Sequence, residues 1–183
     1  MALWSVTTSN GATMMVSDRR RSQVRRRATF IFWASLCLAC TPKAASMTST
    51  QLDDFATRYA AAWSSQDPDS FAAFYSEGGT LKVNAGAPSV GRAAIRATAQ
   101  EYMTAFPDMV VRMDSVLQAG TGAVFHWIWT GTNSGPGGTG KGVRISGYEE
   151  WTFASDGLIS QSLGHFDEAE YQRQVAADTA RGT

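Results

Sequence analysis

Two side chains in the C-terminal half have the types and spacing for proton transfer: Glu149, in Gly147-Tyr148-Glu149-Glu150-Trp151, and His165, in Leu163-Gly164-His165-Phe166. Between them Ser155-Asp156-Gly157 is flanked by alternating apolar positions, Ile145, Trp151 and Phe153 before it, Ile159 and Leu163 after it. This alternation predicts a β-hairpin closed by a three-residue loop with Gly157 in the left-handed conformation. Such a loop pairs Ala154 with Leu158 and, counting outward, Phe153 with Ile159, Trp151 with Gln161, Glu149 with Leu163 and Gly147 with His165. A two-residue loop would set the apolar residues of the two strands on opposite faces. The favoured register makes Glu149 and His165 diagonal neighbours on the buried face, with Gly147 leaving space beside the imidazole. A carboxylate beside an imidazole in apolar surroundings is a general base held by its orienter, with both proton affinities shifted by burial and mutual attraction. The same pair is also a satisfied core hydrogen bond, and the residues alone leave both readings open.

A second group is aromatic. Trp129 and Trp151, with Tyr59, Trp63 and Tyr102 from helical segments, are candidates to line a pocket for a small apolar molecule, and equally to fill the core. His126 falls on the opposite strand face from Trp127 and Trp129 and reads as a half-exposed or dimer-interface histidine. Gly135 to Lys141, GPGGTGK, has the spacing of a phosphate-binding loop, but Gly142 stands where that loop needs Ser or Thr and strands flank it on both sides. Nucleotide binding is therefore excluded. No His, Asp and Glu cluster has metal-ligand spacing, two histidines are too few for a usual zinc site, and no Ser or Cys sits in a nucleophile motif. The expectation is chemistry without cofactor or metal.

The elements that position these residues follow in order. Thr50 to Asp53 resembles a capping box, and Leu52, Phe55, Tyr59 and Trp63 recur at helical spacing to about Ser65. Asp67-Pro68 caps a second short helix, with Gly78-Gly79 as its stop and Thr80 to Asn84 as a strand. Gly91 to Phe106 is a third helix, ended by Pro107. Strands follow from Met109 to about Gln118 and from Ala123 to Thr132. The second of these is bulky on both faces, which predicts helices over one side and a partner or another layer over the other. Asp167 caps a terminal helix with Glu168 and Glu170 in its first turn and Phe166 stapled onto Tyr171. Helices, then an antiparallel meander, then a helix make an α+β fold.

The N-terminus reads differently. Arg25-Arg26-Arg27 followed by ATFIFWASLCLA has the cationic and short apolar regions of an export signal, and the apolar run is too short to span a bilayer. Leu36 to Cys40 resembles a lipoprotein lipobox, in which Cys40 is lipidated; the other reading is an ordinary secretory signal cleaved nearby. Residues 1–40 are thus extension and signal, 41–49 a polar linker and 50–183 the domain. The formal net charge is zero, but six arginines lie before Thr41, and from there on 10 basic residues face 15 acidic ones. A mildly acidic domain is not a nucleic-acid binder. The expected location is the cell envelope, with membrane contact only through Cys40.

This order of elements, and the phrases WTGTNSG, TGKGVRISGYEEW, DGLI and GHFDEAEYQRQV, resemble the SnoaL-like polyketide cyclase family of the nuclear transport factor 2 superfamily, over about Thr50 to Ala176. The resemblance implies a cone, a curved antiparallel sheet wrapped around N-terminal helices, with a pocket used by isomerases, cyclases, epoxide hydrolases, dehydratases and non-catalytic binding modules. It also implies a homodimer through the open sheet face. The family's catalytic Asp on the last strand corresponds to Gly164 here, and the Arg and second Asp of the epoxide hydrolases have no counterpart between Ala123 and Thr132. What remains is a cofactor-free isomerase or cyclase moving a proton next to a carbonyl through His165 and Glu149, or a non-catalytic small-molecule-binding or dimerisation module.

Overall fold

A capping box opens the first helix. Thr48 Oγ1 accepts from the Gln51 backbone N–H at 3.3 Å, and Gln51 Oε1 accepts from the Thr48 N–H at 2.9 Å. Helix α1 (Ser49–Ser64) therefore starts two residues earlier than a Thr50–Asp53 box would place it, because Gln51 reaches back to the cap. The computed structural model describes residues 47–176. The expected export signal, Cys40 and the expected linker as far as Ser46 lie outside the described residues.

Helix α2 (Pro68–Ala72) is capped by Asp67 as the sequence predicts, but it stops at Ala72, and Gly78-Gly79 does not end it. Strand β1 (Tyr75–Val83) runs straight through the two glycines, with an irregularity between Tyr75 and Thr80. A Cβ on Gly79 would lie 2.8 Å from the Ile159 carbonyl oxygen, so close backbone approach, and not helix termination, requires glycine there. A two-residue strand β2 (Ser89–Val90) pairs with β1. The other elements are α3 (Arg92–Ala105), β3 (Val110–Ala119), β4 (Gly122–Thr132), β5 (Gly142–Phe153), β6 (Ile159–Phe166) and α4 (Glu168–Val175).

The strands form one curved six-stranded sheet in the order β2-β1-β6-β5-β4-β3, antiparallel except where β1 runs parallel to β6. Strand β4 alternates as predicted, with Phe125, Trp127 and Trp129 buried and Val124, His126 and Ile128 half-buried. The inward row packs on α1, α2 and α3 through an aromatic core: the Tyr59 ring meets Phe71, Phe74, Phe125 and Trp151 at centroid distances of 4.8 to 5.5 Å. Asp167 caps α4, and Phe166 packs against Tyr171 at 5.8 Å. This α+β cone is the expected fold. Among the described residues no helix is long and apolar enough to cross a membrane.

The β5–β6 hairpin decides where the chemistry sits. Its loop is the predicted one: Ala154 N–H donates to Leu158 O, Gly157 has φ +77°, and Phe153 pairs with Ile159. Beyond that point Ser160 is left over as a bulge, and Thr152 pairs with Gln161. Every later pair slips by one, so that Glu149 lies opposite Gly164, Tyr148 opposite His165 and Gly147 opposite Phe166. A slip of one residue moves a whole strand segment to the other face.

Candidate functional site

The slip separates the two residues that the sequence pairs. Glu149 is buried on the inner face at 6 % exposure, whereas His165 faces outward beside Tyr148. They form no dyad. His165, Tyr148 and His126 make an aromatic row across the outer face, with centroid distances of 4.8 and 5.8 Å, and line an open groove with Asp114 and Asp167. Gly147 makes room not for an imidazole but for the Trp127 indole, whose Cζ2 and Cη2 would lie 2.5 and 2.6 Å from a Cβ there.

Glu149 instead joins a network drawn from four elements. Its Oε2 accepts from Tyr59 Oη of α1 at 2.7 Å, from Ser162 Oγ of β6 at 2.6 Å and from Trp151 Nε1 of β5 at 2.9 Å. Tyr59 Oη lies 2.9 Å from Tyr75 Oη of β1; because the Tyr59 proton is given to Glu149, Tyr75 is the donor in that pair. Burial is the main influence on the carboxyl and raises its pKa above the ordinary glutamate value; hydrogen bonds from Ser162, Trp151 and Tyr59 pull it partly back. Burial, followed by the Glu149 charge, holds both tyrosines well above the usual phenol range, so they stay protonated donors. All three donors converge on Oε2. Oε1 has no hydrogen-bond partner among the described residues, and Glu149 lines a cavity.

That cavity has a volume of about 60 Å³ and an almost wholly apolar wall. Its aromatic side chains are Trp63 of α1, Tyr102 of α3, Trp127 and Trp129 of β4 and Phe166 of β6. Leu81 and Val83 of β1, Met109 just before β3 and Val111 within it complete the lining, and Gly164 sits against Glu149, whose Cγ would be 3.7 Å from a Cβ at that glycine. Of the five aromatics expected to line a pocket, Trp63, Tyr102 and Trp129 do so. Tyr59 and Trp151 do not. Tyr59 lies one helical turn before Trp63, deeper in the core, and Trp151 stacks on Phe125 at 4.7 Å, so both hold the Glu149 carboxyl from behind. Trp127 and Phe166 also line the cavity; for Trp127 the sequence signal is the alternation of β4, which puts it on the inward face with Trp129. Among the described residues no group of three or more His, Cys, Asp or Glu is arranged to hold a metal ion.

A buried carboxyl that lines an apolar cavity, with one oxygen fixed and the other without a hydrogen-bond partner, can take a proton from, or return one to, a bound carbon acid. Residues 56–162 match the family model for the SnoaL-like domain. No curated protein matches the chain. Solved structures do. A protein from Jannaschia sp. CCS1 assigned as a SnoaL-like polyketide cyclase is 21 % identical with a TM-score of 0.63, covering 74 % of this chain and 98 % of its own. TsrD from Streptomyces laurentii is 19 % identical with a TM-score of 0.63, covering 72 % and 99 %. A ketosteroid isomerase-like protein from Catenulispora acidiphila DSM 44928, in complex with trimethylamine, is 16 % identical with a TM-score of 0.62, covering 71 % and 98 %. These structures share the fold, and the family model spans more than half of the sequence. The chain belongs to the SnoaL-like domain family, on the nuclear transport factor 2-like fold.

Proposed function

We propose that this domain is a cofactor-free isomerase or cyclase that moves a proton at a carbon next to a carbonyl, with Glu149 as the group that takes and returns it. The observation that carries this reading is the asymmetry of the carboxyl in a residue that lines an apolar cavity: three donors hold Oε2, and Oε1 has no hydrogen-bond partner among the described residues. Such a base is oriented without being neutralised, and burial makes it stronger than a glutamate in water. The family's acidic position on the last strand is Gly164 in this chain. Glu149 is its cross-strand partner and brings a carboxyl to the same wall. His165, on the outer face, has no part in the step. The test is α-hydrogen exchange of cyclobutanone, acetone and 2-butanone in D₂O, followed by NMR for wild type and Glu149→Gln. Exchange lost in the variant supports the reading; no Glu149-dependent exchange with any of the three overturns it.

A second reading, binding without chemistry, is favoured by the five aromatic side chains around the cavity and by the trimethylamine held by the Catenulispora fold relative. Retention of small ligands with no exchange would select it.

We further infer that the chain is exported and anchored at Cys40, on the strength of the arginine-led apolar segment before that cysteine. Cells fed an alkyne fatty acid should label the wild-type protein and not Cys40→Ala; an unlabelled wild type means an ordinary secretory signal or none. For assembly, the outer sheet face suits a second copy, since it exposes Leu117 at 59 % and Tyr148 at 37 % beside half-buried Val124 and Ile128. Sedimentation velocity should give a dimer for wild type and a monomer for Leu117→Asp. A monomeric wild type at micromolar concentration would remove the proposal.

A further inference from the structure

We propose that the cavity recognises its ligand through an acceptor oxygen bound by the indole N–H groups of Trp127 and Trp129, which makes a neutral, compact carbonyl compound the ligand class. The two indoles are 9 % and 4 % exposed, and neither Nε1 has a hydrogen-bond partner. Buried donors without acceptors are rare because each forfeits its hydration with nothing in return. Here two occur together, two residues apart on the inward face of β4, and both side chains line the same cavity. The fold satisfies the neighbouring inward indole, since Trp151 gives its N–H to Glu149.

Neither ring is free to swing out toward water. Trp127 lies across Gly147 with its edge toward Phe166 at 6.3 Å, and Trp129 is held between Phe106 at 4.8 Å and a stacked Tyr171 at 5.8 Å. The donors are thus fixed in advance, and the partner must come to them. A partner with an acceptor and no donor fits this side of the wall, and the aliphatic remainder takes a hydrocarbon body. An anion fits badly, because it would be stripped of water next to a carboxyl that already resists ionisation. The volume of about 60 Å³ is well below the ~150 Å³ that accommodates benzene, so the part enclosed is a head of a few atoms.

This names the ligand class for the proton-transfer site proposed above. It rests on that reading for the fate of the α-hydrogen, and not for the hydrogen bonds. In the step itself the α-carbon gives its proton to Glu149 Oε1. The C–H electron pair forms the new carbon–carbon double bond, and the carbonyl π pair moves onto oxygen. That oxygen is where negative charge develops, and preoriented N–H donors stabilise it more than they do the ketone. Return of the proton to the α-carbon regenerates the ketone with its α-hydrogen exchanged; where the substrate carries a β,γ double bond, delivery to the γ-carbon of the dienolate completes an isomerisation.

The experiment uses the domain labelled with ¹⁵N at tryptophan, titrated with cyclobutanone and with methylenecyclobutane, which has the same shape and no acceptor oxygen. Cyclobutanone should shift the Nε1–H resonance of Trp127, Trp129 or both downfield, assigned through Trp127→Phe and Trp129→Phe, and should bind at least tenfold more tightly than the hydrocarbon. Equal binding of the two probes, or saturation by the ketone with unmoved indole resonances, overturns the proposal. Where a phenylalanine variant fails to fold, the comparison of the two probes on wild type decides alone. Glu149→Gln separates the two readings. Indole shifts without α-exchange in wild type sink the base and leave this inference standing, and exchange without indole shifts does the reverse.

Discussion

Glu149→Gln is expected to lower the rate of α-hydrogen exchange by about 10²–10⁴-fold, the range that a positioned general base supplies, while leaving the fold in place. The isosteric amide keeps an acceptor for Tyr59 Oη, Ser162 Oγ and Trp151 Nε1, so the network that locks the residue from behind survives. Glu149→Leu is the wrong comparison. It would leave those three buried donors without an acceptor, at about 1–3 kcal/mol each, and any loss of rate would be confounded with loss of structure.

The same substitution has a stability signature whose sign follows from burial. The folded-state pKa of Glu149 is raised, chiefly by desolvation, so the folded protein holds this proton more tightly than the unfolded chain does. Its contribution is fully present below the ordinary glutamate value and is lost as pH rises through the raised one. Tyr59 and Tyr75, which face it from α1 and β1, stay protonated throughout because burial raises them as well. Denaturant unfolding at pH 4, 6 and 8 should therefore show the stability of Glu149→Gln gaining on wild type as pH increases. Wild-type exchange should rise over the same window as the base ionises. A difference between the two proteins that is flat with pH would mean that Glu149 is not buried as described.

The β5–β6 hairpin shows what a sequence carries and where it stops. The loop was legible because Gly157 and the alternation of Phe153 and Ile159 around it leave one favoured geometry. The bulge was not, because Ser160 and Gln161 are both small or polar and nothing in their types says which one the ladder omits. One clue was present. Ile159 and Phe166 are seven residues apart, an odd spacing that cannot place both on one face of a regular strand, yet Phe166 had to turn inward to meet Tyr171. Inserting one extra residue reconciles them, and the same insertion turns His165 away from Glu149. The pocket was half legible for a similar reason. Face and periodicity identify which aromatics point inward, but whether Tyr59 or Trp63 reaches the cavity depends on how far α1 lies along the cone, which no local pattern encodes. The partners of Glu149 come from positions 59, 151 and 162, and only the nearest of these, two residues along the same strand face, was within reach of spacing arguments.

Gly147→Ala is expected to destabilise the domain by about 3 kcal/mol, the upper part of the usual range for overpacking, and to abolish ligand binding in whatever fraction remains folded. The new methyl group would overlap the His165 carbonyl oxygen and would sit 2.5 and 2.6 Å from Cζ2 and Cη2 of Trp127. A flexible side chain could yield, but a strand carbonyl and an indole wedged toward Phe166 cannot both do so. The carbonyl is fixed by the β5–β6 ladder, so the displacement falls on the indole, which is a wall of the cavity and one of its two unpaired donors. Gly142→Ala is the matched control on the same strand: its Cβ would meet nothing nearer than the Gly131 carbonyl at 4.0 Å, and its effect should stay within about 0.5 kcal/mol. Combining Gly147→Ala with Trp127→Leu divides the cost between its two sources. If the indole carries most of the clash, the double variant recovers much of the loss relative to the sum of the single ones. If Gly147→Ala is no worse than Gly142→Ala, neither the Trp127 indole nor the His165 carbonyl lies over that glycine, and the β4–β5 and β5–β6 registers that place them there are both wrong.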